Sequence, residues 1–236
     1  MSKRNWYAGI NNFLKDKNRR LISIVSADQN LANEVALVLT AYMKEKGVDI
    51  RYVDREFSML SKGIRVLKTQ KGITIYKTSR VLLEATRELQ NYAEATREAS
   101  DGCTILQSYS SSYMAMETLA NESFMRRKLL KWIVRRGVYM PDTMFILQSD
   151  KKKLFESKKK FDQVHKVEDS QKGASFSIRD KKDAEIADFL TSRGVNVFRI
   201  DARTATKEQV ATMMLGIIEK IEEAKNEPKE DRPSQG

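Results

Sequence analysis

The chain has 236 residues, of which 32% are charged and 41% hydrophobic, with a formal net charge of +11. That length supports a self-sufficient core, the balance is that of a globular protein, and no apolar run reaches the ~18 residues a membrane-crossing helix needs. Cys103 is the only cysteine and His165 the only histidine, which excludes an internal disulfide, a thiolate metal cluster and a histidine-rich metal site.

Residues 1–20 form a basic extension, with Lys3, Arg4, Lys15, Lys17, Arg19 and Arg20 against one acid, Asp16. Trp6, Tyr7, Ile10, Phe13 and Leu14 fall at helical spacing, which predicts a short amphipathic helix packed on the domain. The domain itself spans 21–224. Residues 21–25 are a short apolar, β-branched run and read as a buried strand. A polar loop follows, Ser26-Ala27-Asp28-Gln29-Asn30, and then Leu31, Val35, Leu39 and Met43 mark a helix that Gly47 stops. With a second strand at 48–53, this is a βαβ unit, which implies a parallel sheet.

Ile73 and Ile75 lie in a β-like stretch, and 79–99 reads as a long helix closed by Gly102. A third strand follows at 103–106. Residues 110–136 are mostly helical, with a basic face of Arg126, Arg127, Lys128, Lys131, Arg135 and Arg136. Pro141-Asp142 opens a strand at 143–147, and 151–182 is polar and highly charged. The last strand is at 195–200 and the last helix at 207–224, before a tail, 225–236, expected to be disordered. Five strands separated by helical stretches predict an α/β fold of three layers, a five-stranded parallel sheet with helices on both faces.

Six local strings resemble thymidylate kinase, within the P-loop nucleoside monophosphate kinases, from about 21 to 221. Residues 21–33 stand where that family has its Walker A segment. Tyr52-Val53-Asp54-Arg55-Glu56-Phe57 resembles an Arg-Glu-Pro segment, and residues 81–87 resemble a Leu-Leu-Phe-x-x-Asp-Arg helix string. Thr104-Ile105-Leu106-Gln107-Ser108-Tyr109 resembles a strand ending in Asp-Arg-Tyr. The stretch from Met140-Pro141-Asp142 to Asp150 resembles the next strand, and Phe198-Arg199-Ile200-Asp201-Ala202 the last. The resemblance makes 151–182 a lid-like segment, with lysines at 151–153 and 158–160.

A Walker A loop, G-x-x-x-x-G-K-S/T, wraps backbone N–H groups around phosphates, bridges them with Lys and holds magnesium with a hydroxyl. Here Ser26 stands at the first glycine, Leu31 at the second, Ala32 at the Lys and Asn33 at the Ser/Thr. The alternative for this loop is an ordinary helix start capped by Asp28 or Asn30. Gln107 and Ser108 replace the Asp-Arg pair, of which the resemblance gives the Asp a part in positioning magnesium. The side that takes the monophosphate is better kept: the resemblance assigns it Arg55, Glu56, Arg87 and Tyr109. Arginine suits this role because its planar fork binds phosphate bidentately.

These readings lead to a catalytically impaired thymidylate kinase-like chain, a pseudoenzyme that serves as a nucleotide-binding, assembly or scaffold module. One alternative is a divergent active nucleoside monophosphate kinase, and only this one calls for ATP and Mg2+ as cofactors. The other is a basic nucleic-acid or ribonucleoprotein partner built on the same fold, which the +11 charge motivates. The expected partners are a nucleoside monophosphate, nucleic acid or an acidic protein, and no membrane. The resemblance adds a homodimer packed through helices between 79 and 136. The compartment expected is the cytoplasm, or the interior of a host cell if the gene is viral.

Overall fold

Short apolar runs and helical periods alternate along the chain, and they assemble as five strands in one parallel sheet. The computed structural model describes residues 19–26, 28–54, 77–97, 102–113, 140–149 and 176–226. The strands are β1 (Arg20–Ser26), β2 (Ile50–Val53), β3 (Thr104–Gln107), β4 (Thr143–Gln148) and β5 (Asn196–Asp201), in the spatial order β2-β3-β1-β4-β5. Among the described residues the long helices are α1 (Gln29–Glu45), α2 (Lys77–Arg97), α3 (Phe176–Thr191) and α4 (Lys207–Asn226). The predicted N-terminal helix, the stretch around Ile73 and Ile75, residues 114–136 and the basic run 151–160 lie outside the described residues. So do Arg55 and Glu56.

Successive side chains of a strand point to opposite faces, so each strand serves two cores. Ile22, Ile24, Leu106, Phe145, Leu147 and Ile200 point to one face, where α1 and α4 bring Val35, Leu39, Met43, Val210, Met214 and Ile218. On the other face Leu21, Val53 and Ile105 meet Tyr92 and Ala95 of α2. Beside them Val25, Met144 and Ile146 meet Ile186 and Leu190 of α3. These are the three layers the sequence predicts.

α1 and α4 run parallel over a shared apolar core, and two exposed ion pairs, Glu34–Lys207 at 3.5 Å and Lys46–Glu219, bridge them at the surface. Asp142 ties the starts of β1 and β4: its carboxylate accepts from the Leu21 N–H at 2.7 Å, and its own N–H donates to Leu21 O at 2.9 Å. Gly47 ends α1 with φ +77°, a conformation that suits a residue without Cβ, while the Val48 N–H reaches back to Met43 O at 3.0 Å.

Helix α3 departs from the predicted pattern. Its first half reads Phe-Ser-Ile-Arg-Asp-Lys-Lys-Asp, so the apolar period resolves only from Ile186 onward. Packing of Ile186 and Leu190 on the sheet overrides a weak local signal. Residues 176–182 of the expected lid-like segment therefore belong to a helix.

Phe145 is fully buried on β4, an interior strand, and stacks on Phe198 of β5 with ring centroids 5.6 Å apart. Phe145→Ala should cost about 3–5 kcal/mol of unfolding free energy in urea titrations. A cost below about 1 kcal/mol would contradict this packing.

Candidate functional site

In an all-parallel sheet every strand ends on the same edge, and ligands bind beyond that edge where the strand order reverses. Here the reversal is at β1, with β3 and β4 as its hydrogen-bonded neighbours. The turn from β1 into α1 and the residues after β3 lie there.

The turn is closed by its own side chains. Asp28 is the N-cap of α1, and its carboxylate accepts from the N–H groups of Asn30 (3.1 Å) and Leu31 (3.3 Å). A helix start with open N–H groups and a positive dipole end attracts an anion; in this chain the anion is Asp28. Its N–H donates to Ser26 Oγ at 3.1 Å, and the Ser26 hydroxyl donates to Leu147 O of β4 at 3.1 Å. Leu31 packs against the core, and Ala32 is fully buried. Asn33 Oδ1 accepts from Gln29 Nε2 at 3.2 Å and from the Ser108 hydroxyl. Of the two caps the sequence allows, Asp28 is the one used, and Asn30 is exposed within the helix.

After β3 the polar groups are again paired internally. Gln107 Nε2 donates to Ser23 Oγ at 2.6 Å and to Glu88 Oε1 at 2.7 Å. Ser108 is fully buried, with its hydroxyl 3.1 Å from Tyr52 Oη and its carbonyl accepting from Gln29 Nε2. A magnesium site here would draw on Asn33 and Gln107. Mg2+ prefers carboxylates, phosphates and water, whereas these are two neutral amides already bonded within the chain. The donor set does not fit the ion.

The inner face of α2 changes character along its length. Tyr92 and Ala95 are apolar and lie over the amino half of the sheet, whereas Glu84, Arg87, Glu88 and Asn91 are polar and equally buried. Glu88 Oε2 accepts from the Ser111 N–H at 2.9 Å and from the Ser111 hydroxyl. Burial, only partly offset by Ser111, Gln107 and Arg87, pushes the Glu88 carboxyl up to about 8. Arg87 forms an ion pair with Glu84, and its guanidinium lies over the Tyr109 ring, 5.5 Å from the centroid. Asn91 Nδ2 donates to Tyr109 Oη at 2.6 Å and to Asp54 O at 3.2 Å. Burial, helped by the charge of Glu88, also pushes the Tyr109 phenol up.

The structure thus brings Arg87 and Tyr109 together. Of the loop residues, Asn33 meets the end of β3 through Ser108, whereas Ser26 is bonded to β4, Asp28 caps α1, and Leu31 and Ala32 pack in the core. The sequence alone assigns no role to Ser23, Gln29, Tyr52, Glu84, Glu88 and Asn91. The available signal was the spacing of Glu84, Glu88 and Asn91, which continues the stripe of Tyr92 and Ala95 on one helix face.

Two outcomes follow. Removing the cap with Asp28→Ala should cost ~1 kcal/mol, read from the urea midpoint at neutral pH. Glu88 gives a pH signature. Its carboxyl is raised from 4.5 to about 8 in the folded chain, so folding takes up a proton between those values. The stability it contributes is complete below pH 4.5 and is lost as pH rises through about 8. Wild type should lose on the order of a few kcal/mol relative to Glu88→Gln across that window. Parallel stability curves from pH 5 to pH 9 would rule out a buried, proton-holding Glu88.

No family model and no curated protein matches the sequence. Solved structures do match. A thymidylate kinase from Candida albicans aligns over 86% of this chain and 92% of its own, with a TM-score of 0.59 at 16% identity. A thymidylate kinase from Ehrlichia chaffeensis aligns over 85% of this chain and 98% of its own, with a TM-score of 0.54 at 11% identity. At these identities the likeness concerns architecture, and the chain has the thymidylate kinase-like fold of the P-loop nucleoside monophosphate kinases.

Proposed function

We propose that this chain is a pseudoenzyme that keeps the kinase fold as a binding and assembly module and does not transfer phosphoryl groups. The observation that carries the reading is the seat of Asp28. Its carboxylate sits on the first N–H groups of α1, where a phosphate donor would have to dock. A triphosphate would meet this negative charge without the loop lysine, for which Ala32 stands, and without glycines to let it approach. Gln107 and Ser108 offer no carboxylate or guanidinium to manage charge developing in the transition state.

The opposite side supports retained binding. Arg87 and Tyr109 are held together by α2 and the end of β3, and Arg55 and Glu56 follow β2 in sequence. This set suits a nucleoside monophosphate in the acceptor position. The net charge of +11 suits an acidic protein or nucleic acid as the partner of such a module.

A coupled assay with dTMP, ATP and Mg2+ tests the reading. Turnover should be absent, and a rate near ~1 per second, ordinary for a working enzyme, would overturn it. In thermal shift, dTMP at ~100 times its dissociation constant should stabilise the chain by ~2.7 kcal/mol, and ATP should not.

A further inference from the structure

The outer groove between α1 and α4 keeps an apolar lining. Val38 and Tyr42 of α1 and Leu215 of α4 remain partly exposed although they pack against the shared core. The exposed pairs Glu34–Lys207 and Lys46–Glu219 cross the groove near its two ends. One turn beyond the second pair, Arg20 reaches α4 from the start of β1 and pairs with Glu222. The chain that precedes β1 is thereby tethered at the mouth of the groove. We propose that this basic extension, residues 1–18, docks back into the groove between α1 and α4, with its apolar side on Val38, Tyr42 and Leu215.

Apolar pattern, length and charge all suit this occupant. Trp6, Tyr7, Ile10, Phe13 and Leu14 recur at helical spacing, so one face of the segment is apolar. As a helix that stripe spans ~12 Å, and the groove between the two bridging pairs runs ~18 Å. Lys17 lies three positions before Arg20, a reach of at most ~10 Å. Lys15 and Lys17 therefore arrive beside the last turns of both helices. Glu45 and Glu223 stand there, exposed and without an ion-pair partner among the described residues. The segment brings Lys3, Arg4, Lys15 and Lys17 against a single acid, Asp16. Its positive charges meet surplus carboxylates within the ~8 Å over which surface charges still attract in physiological salt. Docked in this way, the extension covers apolar surface that α1 and α4 leave open. It also hides its own aromatic face, so the arm is closed to an outside polyanion until it is displaced.

The test reads Trp6 in the full chain carrying Trp132→Phe, which leaves it the sole tryptophan. Its emission should lie to the blue of a free peptide of residues 1–18, and acrylamide should quench it less. Lys15→Glu together with Lys17→Glu should return both signals to those of the peptide, with far-UV circular dichroism otherwise unchanged. Adding Glu45→Lys and Glu223→Lys to that chain should restore the shielding, because the two reversals compensate only if these charges face each other. A Trp6 as accessible as the peptide before any charge is reversed overturns the docking. So does shielding that the reversals leave untouched, or shielding that appears only when RNA is added. Shielding lost on dilution puts the arm on a second copy and overturns the intramolecular form. Should Trp132→Phe fail to fold, trypsin cleavage after Lys15 and Lys17 takes its place. Glu45→Lys with Glu223→Lys should then be cut there severalfold faster than wild type, and equal rates overturn the docking.

Discussion

Every polar group buried between α2 and the carboxyl half of the sheet must find its partner inside the protein. An unmet hydrogen bond there costs as much as a sizeable core truncation, and an unmet charge costs more. This constraint organises the candidate site. Ser23 and Gln107 sit opposite each other in the β1–β3 register, and the Gln107 amide bridges them to Glu88. Glu88 in turn holds Ser111, and through it the start of the segment after β3. Burial outweighs the Ser111 and Gln107 donors and the nearby Arg87 guanidinium, and it pushes the carboxyl up to about 8.

The same accounting explains the donor side. A loop built to receive phosphate leaves N–H groups open for its ligand. In this chain those groups are closed by Asp28, and the neighbouring amides and hydroxyls close on each other across β1, β2 and β3. Among the described residues, the result is an edge whose polar groups pair with one another. Among the described residues, the two halves of the edge differ in kind: the β1–α1 turn carries the charge of Asp28, and the other half carries an arginine beside an acid and an aromatic ring.

Much of the architecture was legible because the strands are short β-branched runs and α1 has a clean apolar period from Leu31 to Met43. A parallel sheet followed from their alternation with helices. Helix α3 was not legible, since its first half has no apolar stripe and its place depends on distant strands. Only the resemblance sets Ser26, Leu31, Ala32 and Asn33 against a Walker A loop, and the partners of these residues could not be read from it. Asp28 as the cap was one of two choices, and only backbone geometry separates it from Asn30. The polar stripe of α2 was hidden for a different reason. Periodicity counts apolar residues, so Glu84, Glu88 and Asn91 look like a solvated face until Gln107, Ser111 and Tyr109 arrive from β3 and the turn after it.

The pairing of α1 with α4 has a consequence for how the chain is made. The residues that α1 covers on the sheet are shared with α4, and the two helices meet through partners 173 residues apart. As the chain leaves the ribosome, β1 and α1 emerge well before α4, with the apolar surface they share with it uncovered. That surface stays open until β5 and then α4 have been made and α4 covers it. Closing so long a loop is slow, and in the interval the nascent chain is a natural client for chaperones.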